Sequence, residues 1–307
     1  MTTALPQSVR ITDITGRDGF QNVKTWIPTE TKKAVLSQLV EAGVTAMEAT
    51  SFVSPKAIPQ MADAAEIVAH MLENHPGVTL VALVPNLKGA QRAAECGVRH
   101  IAYIISASVA HNKANINRTH EESLADLAAI AEACPGLEIT LSMPTVFGCP
   151  FTGEVMLDTV LYLLDESLKR GAAKITLCDT IGVANPVQVK HVVRGVLDRF
   201  PGRDIGVHLH DTHGMGLANT FAALEMGIDR FETAAGGLGG CPFAPGAAGN
   251  TPTEDTVNML NRMGVRTGID LEKYLRAVAT VKDGVEAPLP GHLHAARTYA
   301  EFSFYTV

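Results

Sequence analysis

Two histidines separated by one residue, His208 and His210, are the strongest chemical signal in the chain. Residues i and i+2 of a strand project to one side. The pair therefore presents two imidazoles together, a natural pair of neighbouring ligands for one metal ion. His-x-His alone is a weak signal, and it gains from two oxygen donors, Asp18 and Asn250, if the segments before them adjoin in space. Two nitrogens and two oxygens, with no thiolate required, suit Mg²⁺ or Mn²⁺ completed by water or substrate better than zinc. Arg17 stands beside Asp18 between Gly16 and Gly19. On an open surface such a pair contributes little, but at a strand end a fixed guanidinium can stabilise a developing enolate or oxyanion. Glu48 terminates an apolar run, where a lone carboxylate is unexpected; it either orients Arg17 or a ligand, or acts directly. Asp179 closes another such run. Cys241 lies in GGLGGCPFAPGAAGN and is either a small buried hydrophobe or a proton donor carried on a glycine-rich lid.

Other candidates weigh less. Cys96 and Cys134, on helical stretches, read as packing residues, whereas Cys149 and Cys178 lie closer to the polar cluster. His70, His75, His100 and His191 read as surface or helix-end residues, His213 as a supporting neighbour of the histidine pair, and His292 and His294 as incidental. The glycines form neither G-x-G-x-x-G after a first strand nor a Walker A loop, so a dinucleotide or nucleoside triphosphate site is not expected.

The elements that must position these groups repeat in type. Strands are expected near Val9–Ile14, Ala46–Ala49, Leu80–Val84, His100–Ser106, Glu138–Ser142, Lys174–Cys178, Asp204–Leu209 and Arg230–Thr233. Helices are expected near Thr29–Ala42, Met61–Glu73, Leu87–Glu95, Glu121–Glu132, Glu154–Arg170, Pro186–Arg199, Gly216–Met226 and Thr253–Met263. Gly43, Gly97, Gly171 and Gly227 each follow a helix and precede a strand, as left-handed C-caps do. Alternation of this kind implies right-handed crossovers and a parallel sheet. Eight βα units favour a closed (β/α)8 TIM barrel over an open doubly wound sheet. In a barrel the eighth strand closes onto the first, which brings Asn250 toward Asp18. Arg17, Asp18, Glu48, the Ser108–Asn117 segment, Asp179, the histidine pair, Cys241 and Asn250 then all fall at the C-terminal ends of strands, where this fold carries its sites. A single catalytic domain over residues 1–307 is expected. From about residue 265, a helix near Leu271–Val281 and a Pro-rich tail form a C-terminal extension too short for a separate domain.

Composition bounds the partners. At 46% hydrophobic and 19% charged, the chain has apolar material for a large core, and disordered, collagen-like and coiled-coil architectures are excluded. The formal net charge is −7, so neither nucleic acid nor an anionic membrane is expected as a partner. No apolar run approaches the roughly 20 residues of a membrane span. The N-terminal MTTALPQSVRITD lacks the pattern of a secretory signal, and five dispersed cysteines without a C-x-x-C pair fit a reducing compartment. A cytoplasmic location is expected.

The segments GRDGFQN, EATSFVSPKAIPQMAD, NINRTHEES, CDTIGVANP, VHLHDTHG and GGLGGCPFAPGAAGNTPTED together resemble the 3-hydroxy-3-methylglutaryl-CoA lyases, metal-dependent TIM-barrel enzymes. The resemblance runs from about residue 9 to 280, and the cysteine loop and SFVSPK are specific to the lyase branch. It implies Asp18, His208, His210 and Asn250 as ligands of Mg²⁺ or Mn²⁺, Arg17 as the electrophilic stabiliser, Cys241 as a proton-transfer residue on a lid, and Glu48 and Asp179 as supporting residues. It places Gln21, Lys24 and the segment around Asn115 near an acyl-CoA, and it implies a homodimer. The implied reaction is retro-aldol cleavage to acetyl-CoA and a keto acid, acetoacetate for the 3-methyl substrate. Departures from the family pattern are Gly16 for Pro, Phe20 for Leu, Ala57 for Trp, Val109 for Glu and His213 for Tyr. The exchanges at Phe20 and Ala57 raise the alternative of a related substrate such as citramalyl-CoA or a longer 3-alkyl analogue. A metal-dependent aldolase acting without CoA would share the metal residues but not need Lys24 or the Asn115 segment.

Overall fold

The β-branched runs form eight parallel strands: β1 Arg10–Asp13, β2 Ala46–Ser51, β3 Thr79–Val84, β4 His100–Ile104, β5 Glu138–Met143, β6 Ala172–Asp179, β7 Asp204–Leu209 and β8 Arg230–Thr233. A computed structural model describes residues 5–240 and 249–296. The strands close in chain order, with β8 paired to β1 from Arg10↔Arg230 to Asp13↔Thr233. That pairing excludes the open sheet. The joints at Gly43, Gly97, Gly171 and Gly227 all take positive φ, from 90° to 104°.

The helices are α1 Thr29–Glu41, α2 Ala64–Asn74, α3 Leu87–Glu95, α4 Val109–Ile116, α5 His120–Ala133, α6 Leu157–Lys169, α7 Pro186–Arg199, α8 Gly216–Glu225, α9 Thr253–Arg262 and α10 Leu271–Gly284. α7 shows why these stretches are helical. Pro186 opens the first turn, and the Asn185 side chain accepts from Val187 and Gln188 N–H, satisfying donors that the helix leaves free. Val189, Val192, Val193 and Val196 fall on one face and are buried, each contributing about 1.5–3 kcal/mol of transfer free energy before entropy is charged.

Three local departures from the sequence reading bear on the site. Residues Thr15–Gly19 form one π-helical turn rather than an open loop, closed by the Gly19 N–H to the Ile14 carbonyl at 3.1 Å. The segment after β4 holds an extra short helix, α4. Ser108 caps it by accepting from His111 N–H, Asn117 ends it in a left-handed conformation, and a Thr119–Glu122 capping box then starts α5. Finally, β2 runs past Glu48 to Ser51, with a register shift between Glu48 and Thr50, so Glu48 lies within the strand.

The C-terminal extension is tied to the barrel through buried polar contacts. The Tyr274 hydroxyl of α10 donates to Asp13 Oδ2 at 2.5 Å. Beyond α10 the tail crosses the loop after β8: Gly291 N–H donates to the Gly236 carbonyl at 2.9 Å. His292 and Leu293 N–H donate to the Asp255 carboxylate, both at 2.8 Å. His292, read from sequence as incidental, is a tail anchor.

Candidate functional site

The π turn after β1 sets Arg17 and Asp18 side by side at the barrel mouth, 8% and 7% exposed. Single π turns are rare and concentrate at functional sites. Two contacts hold this one. Thr15 Oγ1 accepts from Ala235 N–H at 2.8 Å, tying the turn to the end of β8. Gly16 packs on β2 so closely that a Cβ there would lie 2.5 Å from the Ala49 carbonyl oxygen. Proline, the residue of the family pattern, does not fit this backbone at position 16.

His208 lies in β7, and His210 just beyond it forms an isolated bridge to Asn250. Their Nε2 atoms are 3.1 Å apart. Together with an Asp18 carboxylate oxygen, ligand atoms of the three residues lie within 4.8 Å of one another. Two imidazole nitrogens and a carboxylate converging on one point, all buried, are what a divalent cation would complete. Asn250 joins the cluster through its Nδ2, which donates to Asp18 Oδ2 and to the Leu238 carbonyl, both at 2.8 Å. Its Oδ1 is buried and has no hydrogen-bond partner. An oxygen left unsatisfied at this cost beside Asp18 fits an O-donor role, and the donor set as a whole fits a hard or borderline divalent ion.

The charges around the cluster shift in opposite directions. Burial works against ionisation of Asp18, but Arg17 and then the two histidines outweigh it and lower its pKa to about 2. Burial and the neighbouring His208 push His210 down to about 4. His208 moves up: burial opposes this, but Glu232 and Asp18 outweigh it. Arg17 is clamped, its Nε on Glu48 Oε2 at 2.7 Å and its terminal nitrogen on Asp18 Oδ1. Burial pushes Glu48 up to about 7 despite the guanidinium. Glu48 thus holds Arg17, the contact that its orienting reading requires.

Glu232 escaped the sequence reading. It lies in β8, its Oε2 is 3.0 Å from His208 Nδ1, and Thr176 Oγ1 donates to its other oxygen at 2.8 Å. A carboxylate on Nδ1 fixes that nitrogen as the protonated one and leaves the Nε2 lone pair for the cluster. The sequence offered little signal, since Glu232 stands in the mixed strand Arg230–Thr233 rather than in an apolar run such as the one that carries Glu48.

Asp179 ends β6. Its two oxygens accept from Val183 and Ala184 N–H, each at 3.0 Å, so its carboxylate shapes the loop after β6 and is not part of the metal cluster. Burial holds its pKa up, at about 6. Gln21 is half-buried, and Lys24 and Asn115 are exposed, on the segments after β1 and β4. Cys241 lies outside the described residues. Cys149 lies under the mouth loops, its thiol donating to Ser108 Oγ at 3.0 Å. His213 bridges the loops after β7 and β6 through Gly182 O at 2.8 Å. Phe20 has no exposed surface and packs in the core, and Ala57 is exposed on the loop after β2. The Phe20 exchange therefore offers no free face to a larger acyl group.

Comparison with known proteins agrees with this arrangement. Residues 8–281 match the family model described as HMGL-like. The chain belongs to this hydroxymethylglutaryl-CoA lyase family. It is 43% identical over 287 residues to hydroxymethylglutaryl-CoA lyase YngG of Bacillus subtilis, covering 93% of this chain and 96% of that protein. It is 41% identical over 278 residues to the mitochondrial hydroxymethylglutaryl-CoA lyase of Bos taurus, covering 90% and 85%. Among solved structures, an HMG-CoA lyase from Acinetobacter baumannii in complex with coenzyme A and 3-methylmalate superposes with a TM-score of 0.92 at 40% identity, covering 99% of both chains. The TIM-barrel expectation and the hydroxymethylglutaryl-CoA lyase resemblance are thus both borne out. Among the described residues, no helix is long and apolar enough to cross a membrane.

Proposed function

We propose that this chain is a divalent-metal-dependent carbon–carbon lyase that cleaves 3-hydroxy-3-methylglutaryl-CoA to acetyl-CoA and acetoacetate. The observation that carries the reading is the convergence of Asp18, His208 and His210 beside a clamped Arg17. Asp18, His208, His210 and the Asn250 Oδ1 would hold Mg²⁺ or Mn²⁺, which supplies Lewis acidity that lowers the pKa of the substrate's tertiary hydroxyl. Glu232 keeps the His208 Nε2 lone pair turned to the cluster. Asp18 or one of the histidines takes the hydroxyl proton. The bond between the hydroxyl-bearing carbon and the methylene next to the thioester then breaks, leaving acetoacetate and the enolate of acetyl-CoA. Arg17, already fixed by Glu48 and Asp18, meets the enolate oxygen without reorganising. The Cys241 thiol gives its proton to the enolate carbon. Gln21, Lys24 and Asn115 contact the acyl-CoA, while Asp179 positions the loop after β6.

The test is turnover of an acyl-CoA panel by metal-stripped protein with and without Mg²⁺ or Mn²⁺. Metal-restored release of acetyl-CoA, fastest from the 3-methyl substrate, is expected. No release from any member, with metal demonstrably bound, would replace this reading with the CoA-independent aldolase.

A further inference from the structure

The floor of the barrel, opposite the mouth, holds a cavity of about 290 Å³. TIM barrels are normally filled by layers of bulky side chains. Here the inward positions of β1, β3 and β5 are Thr12, Val81 and Thr140, which line the cavity and are part-exposed, while their strand neighbours Ile11, Leu80, Ile139 and Leu141 are buried. The corresponding β7 residue is Gly206, and the Arg230 guanidinium lies across it, 2.7 Å from where a Cβ would stand. Arg230 is held there by Asp204 at 3.0 Å and Thr176 at 3.0 Å. It closes the side under β6 to β8 and leaves the side under β1 to β5 open.

At its inner end the cavity reaches Glu48. Glu48 is 3% exposed, and its Oε1 has no hydrogen-bond partner. The floor cations are already matched: Arg10 pairs with Asp204 at 2.8 Å and Asp229 at 2.7 Å, and Lys174 with Glu138 at 2.7 Å. An anion would find no unclaimed partner among them. The walls mix hydroxyls and carboxylates with the apolar side chains of Ile11, Ala46, Val81 and Ala102, and the volume accommodates up to roughly ten waters.

We propose that this cavity is a water-filled shaft, open at the barrel floor and ending on Glu48, that solvates the Arg17–Glu48 pair from below, independently of the mouth. The shaft supplies the hydrogen bond that Glu48 Oε1 lacks, and it keeps that pair in contact with solvent when a ligand covers the mouth.

The test places a thiol on the wall and follows its modification. In Val81→Cys, methyl methanethiosulfonate labelling is mapped by peptide mass spectrometry, with buried Cys134 of the same molecule as reference. Position 81 should label at least about 100-fold faster than Cys134, which is reached only through opening of the fold. Adding Ala46→Leu, which fills the shaft on the floor side of position 81, should slow it at least about tenfold; Thr140→Leu, on β5 at the level of Val81, does the same if Ala46→Leu does not fold. Labelling no faster than Cys134 means a closed cavity and overturns the proposal. Labelling that neither filling substitution slows means entry from the mouth, and overturns it equally. A high-resolution crystal structure without a water on Glu48 Oε1 would do so too. None of these readouts depends on lyase activity.

Discussion

At the scale of single residues, the site consists of pairs in which one side chain fixes another. Glu232 fixes His208, and Glu48 with Asp18 fixes Arg17. Removing a carboxylate that orients a metal-binding histidine typically costs about 10- to 100-fold in metal affinity. Glu232→Ala is accordingly expected to raise the Mn²⁺ dissociation constant by about that factor, measured by titration calorimetry; an unchanged constant would mean that His208 needs no orienting partner. Arg17→Met should behave oppositely. Metal affinity stays near normal, while kcat for acyl-CoA cleavage falls by at least about 10²-fold, the usual cost of a lost oxyanion donor. The same contrast explains what the sequence made legible. His208, His210 and Asp18 could be read because strand periodicity and strand-end position mark them. Glu232 was passed over because it sits inside its strand, and the partner that gives it meaning is 24 residues away. Asp179 was legible as a strand-end carboxylate, but strand-end position alone does not reveal that it closes a loop on backbone N–H groups.

At the scale of elements, the π turn and β2 are built for each other. β2 shifts register between Glu48 and Thr50, and the Ala49 carbonyl meets Gly16 with no room for a side chain. Gly16→Ala therefore forces backbone movement in the turn that carries Arg17 and Asp18. Overpacking of this kind costs about 1–3 kcal/mol. A lowered thermal midpoint together with weakened Mn²⁺ binding is expected; full stability and affinity would show that the turn can relax. Sequence reasoning located this segment but not its geometry, because a π turn has no residue signature of its own. It missed α4 for a related reason. The helix is short, and its existence rests on Ser108 and Asn117 at its two ends rather than on an apolar stripe. The eight long βα units were legible because burial imposes a period on their sequences; a short helix set by its caps carries no such period.

For the whole molecule, the mouth and the C-terminal extension both bury ionisable groups, and stability should report on each. The cluster at the mouth gathers Asp18, Glu48 and Glu232 against Arg17 and two histidines. Mn²⁺ at about 100 times its dissociation constant should add about 2.7 kcal/mol, or roughly 5 °C in thermal midpoint for a chain of this size; no shift would argue against a folded-state metal site. The extension makes a prediction of opposite character, in pH. Glu254, at the start of α9, is fully buried between the β8 loop and the tail. Its Oε2 accepts from Gly236 N–H at 3.0 Å, its Oε1 has no partner, and Gly291 packs directly against that oxygen. Burial, reinforced by Asp255 and Asp13, raises its pKa to about 8 from a usual 4.5. A carboxyl whose pKa is raised by folding is held neutral in the folded state. Its contribution is fully present below pH 4.5 and is lost as pH rises through about 8, where the folded chain must either ionise a buried group or unfold. The loss is at most a few kcal/mol. Asp18 leaves this window undisturbed, because its lowered pKa makes it ionised in both states above about pH 5. Asp179, raised to about 6, adds a fall of the same sign, so the comparison must be made against a variant rather than against a flat line. Glu254→Gln keeps the shape and the acceptor for Gly236 while removing the ionisable proton. Denaturant unfolding of both proteins at pH 5.5 and 8.5 should show the wild-type chain losing more stability than the variant over that interval; equal losses would mean that Glu254 is either solvated or already charged in the folded protein.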